Sequence, residues 1–269
     1  MRAPATPGPY SYDFIAVSDP GRTRNNNEDS VAVDEEPGIA VLADGMGGYN
    51  AGEVASGMAT TFIKAELGRW LSLASSSAGD GDVRRAMDIC VDNANRAIFN
   101  AANSNPQYAG MGTTLVLAVF RENRLLLGHV GDSRAYRLRG GRLQQLTHDH
   151  SLLQEQIDAG LLTPEQAVFS SNKNLVTRAV GVEDTVLLET HTHDVLPGDL
   201  YLLCSDGLSD MLDDDAIAQL MSSHEPLDDV AGALIDAAND AGGKDNISVV
   251  LIRVKGGSGA TRAWWPFKR

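Results

Sequence analysis

Apolar residues follow two kinds of spacing along this 269-residue chain. In the first, Val54, Met58 and Phe62 recur at every fourth position with Ala55, Ala59 and Ile63 beside them, a stripe that predicts a helix. The same period runs through 82–102 on Val83, Ala86, Met87, Cys90, Ala94, Ala97 and Ile98. It returns after Pro226 on Leu227, Val230, Ala231, Leu234 and Ala238. In the second, short β-branched and aliphatic runs are bounded by Gly or Asp, at 14–17, 39–43, 113–120, 125–130, 200–204 and 247–254. Several are apolar at almost every position, which predicts strands buried on both faces. Their short connections favour antiparallel neighbours. The economical architecture is two sheets packed face to face with helices covering the outside.

Residues 148–182 break this rhythm and read as a flap on a single domain rather than a second domain. Within them Thr163-Pro164-Glu165-Gln166 predicts a short helix, with Thr at the N-cap, Pro at the first position and Gln closing a capping box. The domain spans 12–254, between a flexible N-terminus at 1–11 and a Gly-rich tail at 255–269. The tail ends Trp264-Trp265-Pro266-Phe267-Lys268-Arg269, read as a loosely held terminus in preference to a docking peptide or interfacial anchor.

The formal charge of −14 makes nucleic acid a poor partner, since its phosphates need clustered Lys and Arg. Two cysteines, Cys90 and Cys204, match neither a disulfide framework nor a zinc spacing, and read as buried thiols in a reducing compartment. No signal-peptide pattern and no run long enough to span a bilayer is present, so a cytoplasmic protein, expected to be a monomer, is the reading.

The chemistry enters where apolar runs meet aspartate. The run 39–43 ends at Asp44-Gly45, 125–130 leads to Gly131-Asp132, 200–204 leads through Ser205 to Asp206-Gly207, and Lys244-Asp245-Asn246 opens the last run. Each alone reads first as a turn former. Together, strands sharing one core can bring these acids to a common edge, joined by Glu28 and Asp29. Carboxylates that close repel one another unless cations hold them. The donors are all oxygens, which selects Mg²⁺ or Mn²⁺ over zinc. Two such ions would balance four carboxylates and lower the pKa of a bridging water for in-line attack on phosphorus. Arg24 supplies a planar fork for phosphate oxygens.

Arg24-Asn25-Asn26-Asn27-Glu28-Asp29, Ala43-Asp44-Gly45-Met46-Gly47-Gly48 and Met111-Gly112-Thr113-Thr114 resemble, in order, the motifs of the protein phosphatase 2C family. Gly131-Asp132-Ser133-Arg134, Ser205-Asp206-Gly207-Leu208 and Gly243-Lys244-Asp245-Asn246-Ile247-Ser248 continue the series, closest to its short bacterial members. The resemblance implies an α+β fold, a four-layer α-β-β-α sandwich of two mainly antiparallel sheets. It implies hydrolysis of phosphoserine or phosphothreonine in proteins, reversing a Ser/Thr kinase. In this likeness Asp44 bridges two metals and the Gly45 carbonyl helps bind one. Asp206 and Asp245 hold the second, with Glu28 near, directly or through water. Asp29 orients water, Arg24 grips phosphate, and Asp132 with Asp206 holds a third, weaker ion. Met46 departs from many eukaryotic relatives, which carry a histidine there; a thioether has no proton to donate.

Other chemistries fit less well. Cys90 and Arg96 have the spacing of cysteine-dependent phosphatases, but the residues between them follow a helical pattern and include Asp92. The glycines at 45–48 lack the Gly-Lys-Ser/Thr ending of a phosphate loop, and Ser133 lacks the final Gly of a nucleophile elbow. His191 and His193 read as surface residues of a strand; His148 and His150 read as loop caps at the flap entrance. A catalytically silent phosphoprotein-binding domain on the same scaffold would be expected to have lost one or more of these acids, and none is missing.

Overall fold

A computed structural model describes residues 10–48, 51–74, 78–163, 166, 175–223 and 225–256. One sheet has the order β1-β11-β10-β7-β8, built from β1 (Ser11–Asp19), β7 (Arg134–Arg139), β8 (Arg142–Gln145), β10 (Leu200–Cys204) and β11 (Ile247–Lys255). The other has the order β2-β3-β5-β6-β9, from β2 (Asp29–Asp34), β3 (Ile39–Met46), β5 (Leu115–Arg121), β6 (Arg124–Val130) and β9 (Glu189–Asp194). The short β4 (Gly112–Thr113) pairs with the end of β3. Every pairing in both sheets is antiparallel.

Three apolar layers explain the unbroken hydrophobic runs. Alternate residues of β3 and β5, such as Val41 and Leu117, face α1 (Ala51–Leu73) and α2 (Asp80–Ser104). Their neighbours Leu42 and Val116 face the opposite sheet. Along β11, Val250 and Ile252 enter that same inter-sheet layer. Val249 and Leu251 instead pack under α5 (Asp214–Met221) and α6 (Leu227–Asp240). A strand with a partner on each face has no position left for a polar side chain. This is the expected α-β-β-α sandwich.

The three helices read from periodicity are α1, α2 and α6, and α1 turns Ala55, Ala59 and Ile63 inward as the stripe requires. Several readings need correction. The 39–43 run does not stop at Asp44-Gly45: β3 continues through Met46, so this pair is strand, not turn. The 113–120 run is broken at Thr114, between β4 and β5. The flap contains a regular helix, α3 (Leu152–Asp158), capped by Ser151 Oγ, which accepts the Gln154 amide at 3.2 Å. Thr163 and Gln166 exchange the two capping-box hydrogen bonds at 2.9 and 3.3 Å. Pro164, Glu165, the stretch 1–9 and the Trp-bearing end of the tail lie outside the described residues.

Candidate active site

The acids come from both sheets. Asp29 opens β2 and stands in register opposite Asp44 on β3. Asp206 follows β10 at the start of α4 (Asp206–Ser209), Asp245 lies just ahead of β11, and Asp132 sits where the chain leaves β6 for β7. The charges of these acids act on one another. Asp44 is driven well above the usual carboxylate range by lost hydration, then by Asp29, Asp206, Asp132 and Asp245. Asp206 is raised likewise, by lost hydration and then by Asp132, Asp210, Asp245 and Asp29. Both side chains are half-buried.

Burial pushes Asp29 up to about 6 against the hydrogen bonds of nearby serine hydroxyls. Burial and the Asp149 charge also push Asp132 up to about 6. Ser205 Oγ donates to Asp29 Oδ2 at 2.7 Å, while Asp29 Oδ1 is buried with no hydrogen-bond partner among the described residues. A buried, unpartnered carboxylate oxygen inside a knot of like charges is what a hard cation would satisfy. The donor set, all oxygen, fits Mg²⁺ or Mn²⁺.

The flanking motifs hold this arrangement by backbone. Asp44 is pinned from two sides: its amide donates to Thr114 Oγ1 at 3.0 Å, and its carbonyl accepts Thr113 Oγ1 at 2.9 Å and the Thr114 amide at 2.9 Å. Thr114 Oγ1 in turn meets Ser133 Oγ at 2.8 Å, beside Asp132. Asn246 stitches the loop after β1 to β11: its Oδ1 accepts the Glu28 amide at 2.8 Å, and its Nδ2 donates to the carbonyls of Pro20 and Asn26.

Arg24 lies at the edge, half exposed, with Nη2 donating to Asp245 Oδ2 at 2.6 Å. Its pKa is raised although burial pulls the other way, because Asp245, Glu28 and Asp206 favour the cation. Glu28 sits at the margin of the cluster. Its Oε1 accepts from Asn26 Nδ2 at 3.1 Å, and its Oε2 lies 2.7 Å from where a Cβ on Gly52 would stand. Gly45 is pressed still closer: a Cβ there would come within 2.2 Å of the Gly52 carbonyl oxygen. Met46, at the end of β3, presents no titratable group.

Residues not singled out from the sequence also take part. Asp210 adds to the repulsion on both Asp132 and Asp206, one helical turn beyond Asp206, and its amide donates to the Asp206 carbonyl at 2.7 Å. The four-residue spacing inside Asp206-Gly207-Leu208-Ser209-Asp210 was the available signal. Ser205, Thr114 and Asn246 stand in the quoted motifs, but what they do there, a hydroxyl on the Asp29 carboxylate for Ser205 and contacts to backbone for Thr114 and Asn246, is not revealed by residue type alone. The competing thiol is inert: Cys90 is buried on α2, and burial pushes it up to about 11.

Comparison with known proteins agrees with this geometry. The family model described as protein phosphatase 2C matches residues 22–247. The serine/threonine phosphatase Stp of Listeria monocytogenes is 37% identical over 239 residues, covering 87% of this chain and 93% of that protein. The serine/threonine protein phosphatase PstP of Mycobacterium tuberculosis is 40% identical over 244 residues, 90% of this chain and 45% of that longer protein. The catalytic domain of a PstP phosphatase, solved in complex with two manganese ions, superposes with a TM-score of 0.80 at 37% identity, covering 91% of this chain and 99% of that one. Stp1 of Staphylococcus aureus superposes with a TM-score of 0.85 at 29% identity, over 95% of this chain and 100% of its own. With a family match across most of its length and relatives at these identities, the chain belongs to the protein phosphatase 2C family.

Proposed function

We propose that this chain is a metal-dependent protein serine/threonine phosphatase that hydrolyses phosphoserine and phosphothreonine in proteins, reversing a Ser/Thr kinase. The observation that supports it most is the convergence of Asp29, Asp44, Asp132, Asp206 and Asp245 from both sheets on one rim, with Arg24 at its edge. Asp44, Asp206 and Asp245, with Glu28 and the Gly45 carbonyl, are the groups to hold two Mn²⁺ or Mg²⁺ ions, and Asp132 with Asp206 a third. Bound there, the cations would offset the negative charge of the phosphoryl group and lower the pKa of a water molecule.

The remaining work falls to the chain itself. Arg24 exchanges Asp245 for the phosphate oxygens, keeping a charge-assisted pair in both states. Asp29 accepts hydrogen bonds from water at the site and orients it for in-line attack. Asp132 and Asp206 shape the entrance. Met46 has no proton for the leaving alkoxide, so that proton comes from water.

The test is release of phosphate from a phosphothreonine peptide in Mn²⁺, in Mg²⁺ and in EDTA. Turnover is expected only with a divalent ion. It should fall by at least about 10³-fold in Asp44→Ala and persist in Cys90→Ser. Turnover in EDTA, or loss of turnover in Cys90→Ser, overturns the proposal.

A further inference from the structure

Among the described residues outside the acid cluster, His129, His150 and Glu189 form a compact group in which one nitrogen or oxygen from each lies within 4.8 Å of the others. The residue types could hold a cation, but the ring geometry opposes it. His129 and His150 are stacked with centroids 4.6 Å apart and planes only 15° from parallel. Imidazole lone pairs lie in the ring plane, so those of two nearly parallel rings do not converge on one ion. The hydrogen bonds also commit His150 elsewhere. The Gly131 amide donates to its Nδ1 at 3.1 Å, so the ring proton is on Nε2, which donates to Glu189 Oε2 at 3.1 Å. Burial alone would raise Glu189, but hydrogen bonds from His191 and His150 hold it down to about 2, which keeps it an acceptor.

What His150 touches leads back to the acids. Its backbone amide donates to the Gly131 carbonyl at 2.9 Å, so residue 150 grips both polar groups of the residue before Asp132. The preceding residue grips the other side. Asp149 takes Arg134 through Nε at 2.9 Å and Nη2 at 2.6 Å. Asp132-Ser133 is therefore held between two consecutive anchors. The anchor segment is itself laced to residues 175–180. The Thr177 amide donates to the His150 carbonyl at 2.8 Å, and Leu152 donates to the Leu175 carbonyl at 2.8 Å. Val180 closes the line by exchanging amide hydrogen bonds with Thr113, whose hydroxyl holds the Asp44 carbonyl.

We propose that His150 is a positioning residue for Asp132: its Nδ1 captures the Gly131 amide and, with Asp149 on Arg134, sets the Asp132-Ser133 turn against Asp206 and Asp210. This deepens the reading of the acid cluster as a cation site and rests on it for the role of Asp132, though not for the geometry of His150. A neutral ring with its lone pair on Nδ1 is required. Phenylalanine keeps the stack and loses the acceptor, glutamine offers Glu189 a donor but places no acceptor at Nδ1, and asparagine puts Oδ1 near the Nδ1 position.

The experiment measures Gly131 amide exchange by NMR in EDTA, the imidazole ¹⁵N shifts of His150, and Mn²⁺ binding by calorimetry. In the wild type the ¹⁵N shifts should report the Nε2–H tautomer. In His150→Phe and His150→Gln the Gly131 amide should exchange at least about tenfold faster, and the weakest Mn²⁺ site should lose about tenfold in affinity. His150→Asn should recover most of both. If His150→Phe does not fold, His150→Gln carries the test. Unchanged Gly131 exchange in both variants, an Nδ1–H tautomer, or no recovery by asparagine overturns the proposal. A wild type that neither binds Mn²⁺ nor releases phosphate would overturn the phosphatase reading, and the exchange data would still decide the role of His150.

Discussion

Replacing Asp132 with asparagine should stabilise the metal-free protein at neutral pH. Asp132 is 8% exposed, and burial with the charges of Asp149 and Asp210 raises it to about 6, roughly two pH units above an ordinary aspartate. Each unit corresponds to about 1.4 kcal/mol, so the ionised side chain costs the folded state about 3 kcal/mol above pH 6. The sign follows from proton binding. Between about pH 4 and 6 the folded protein holds a proton that the unfolded chain has released, so this contribution is complete below about pH 4 and is lost as pH rises through about 6. Asp132→Asn removes the titration while keeping the shape. Urea unfolding followed by circular dichroism in EDTA should therefore show the variant more stable by up to about 3 kcal/mol at pH 7.5, with the difference shrinking toward zero near pH 4. In saturating Mn²⁺ the advantage should diminish or reverse, because the charge that repels its neighbours in EDTA would then serve as the proposed ligand. A variant no more stable than the wild type at pH 7.5 would refute the reasoning. So would an equal gain at both pH values, which would trace to something other than ionisation.

Three further outcomes follow from the geometry. Arg24→Ala should raise KM for a phosphothreonine peptide about tenfold with a smaller change in kcat, and Arg24→Lys should recover only part, since an ammonium lacks the fork; an unchanged KM removes Arg24 from the phosphate site. Gly45→Ala should lower stability by on the order of 3 kcal/mol or more in thermal unfolding, because its Cβ would stand 2.2 Å from the Gly52 carbonyl oxygen. A fully stable alanine variant would mean that the strand and α1 are free to separate. Met46→His should alter the acid limb of the rate–pH profile by placing a titratable donor at the end of β3; an identical limb argues against any proton transfer at this position.

How much was legible in the sequence depended on whether a segment is buried on one face or two. The runs at 39–43, 125–130, 200–204 and 247–254 stood out because sandwich strands meet apolar layers on both sides. β2, β7 and β8 escaped notice for the opposite reason. β2 and β8 are sheet edges, and β7 carries Arg134, Arg137 and Arg139 between its buried Ala135, Tyr136 and Leu138. A strand with half its positions charged is hard to tell from a polar loop. The α5 stripe was short and began in three aspartates, Asp213 to Asp215, of which Asp213 proves to be the N-cap, accepting the Ala216 amide at 2.8 Å. In the site, the acids were visible as residue types ending apolar runs. The roles of Asn246 and Thr114 were not, although both stand in the quoted motifs, because each is a side-chain contact to backbone made across 218 and 70 positions of sequence.

The Asp-Gly pairs at 44–45 and 206–207 are turn formers by residue type, yet neither forms a turn here. At Gly45 the chain is still in a strand, and at Gly207 it has entered a helix, where a Cβ would stand 1.9 Å from the Asn246 carbonyl oxygen. Both glycines serve close approach of backbone to backbone. That approach brings together groups from different sheets: Asp29 and Asp44 from one, Asp206 and Asp245 from the other, and Asp132 at the crossover between them. The apolar layers hold the carboxylates in place while their charges push the two sheets apart at this rim. A cation bound among them would replace that repulsion with a cross-link between the sheets. Metal loading and sheet-to-sheet cohesion would therefore be one equilibrium in this fold, and a change that weakens either should be seen in the other.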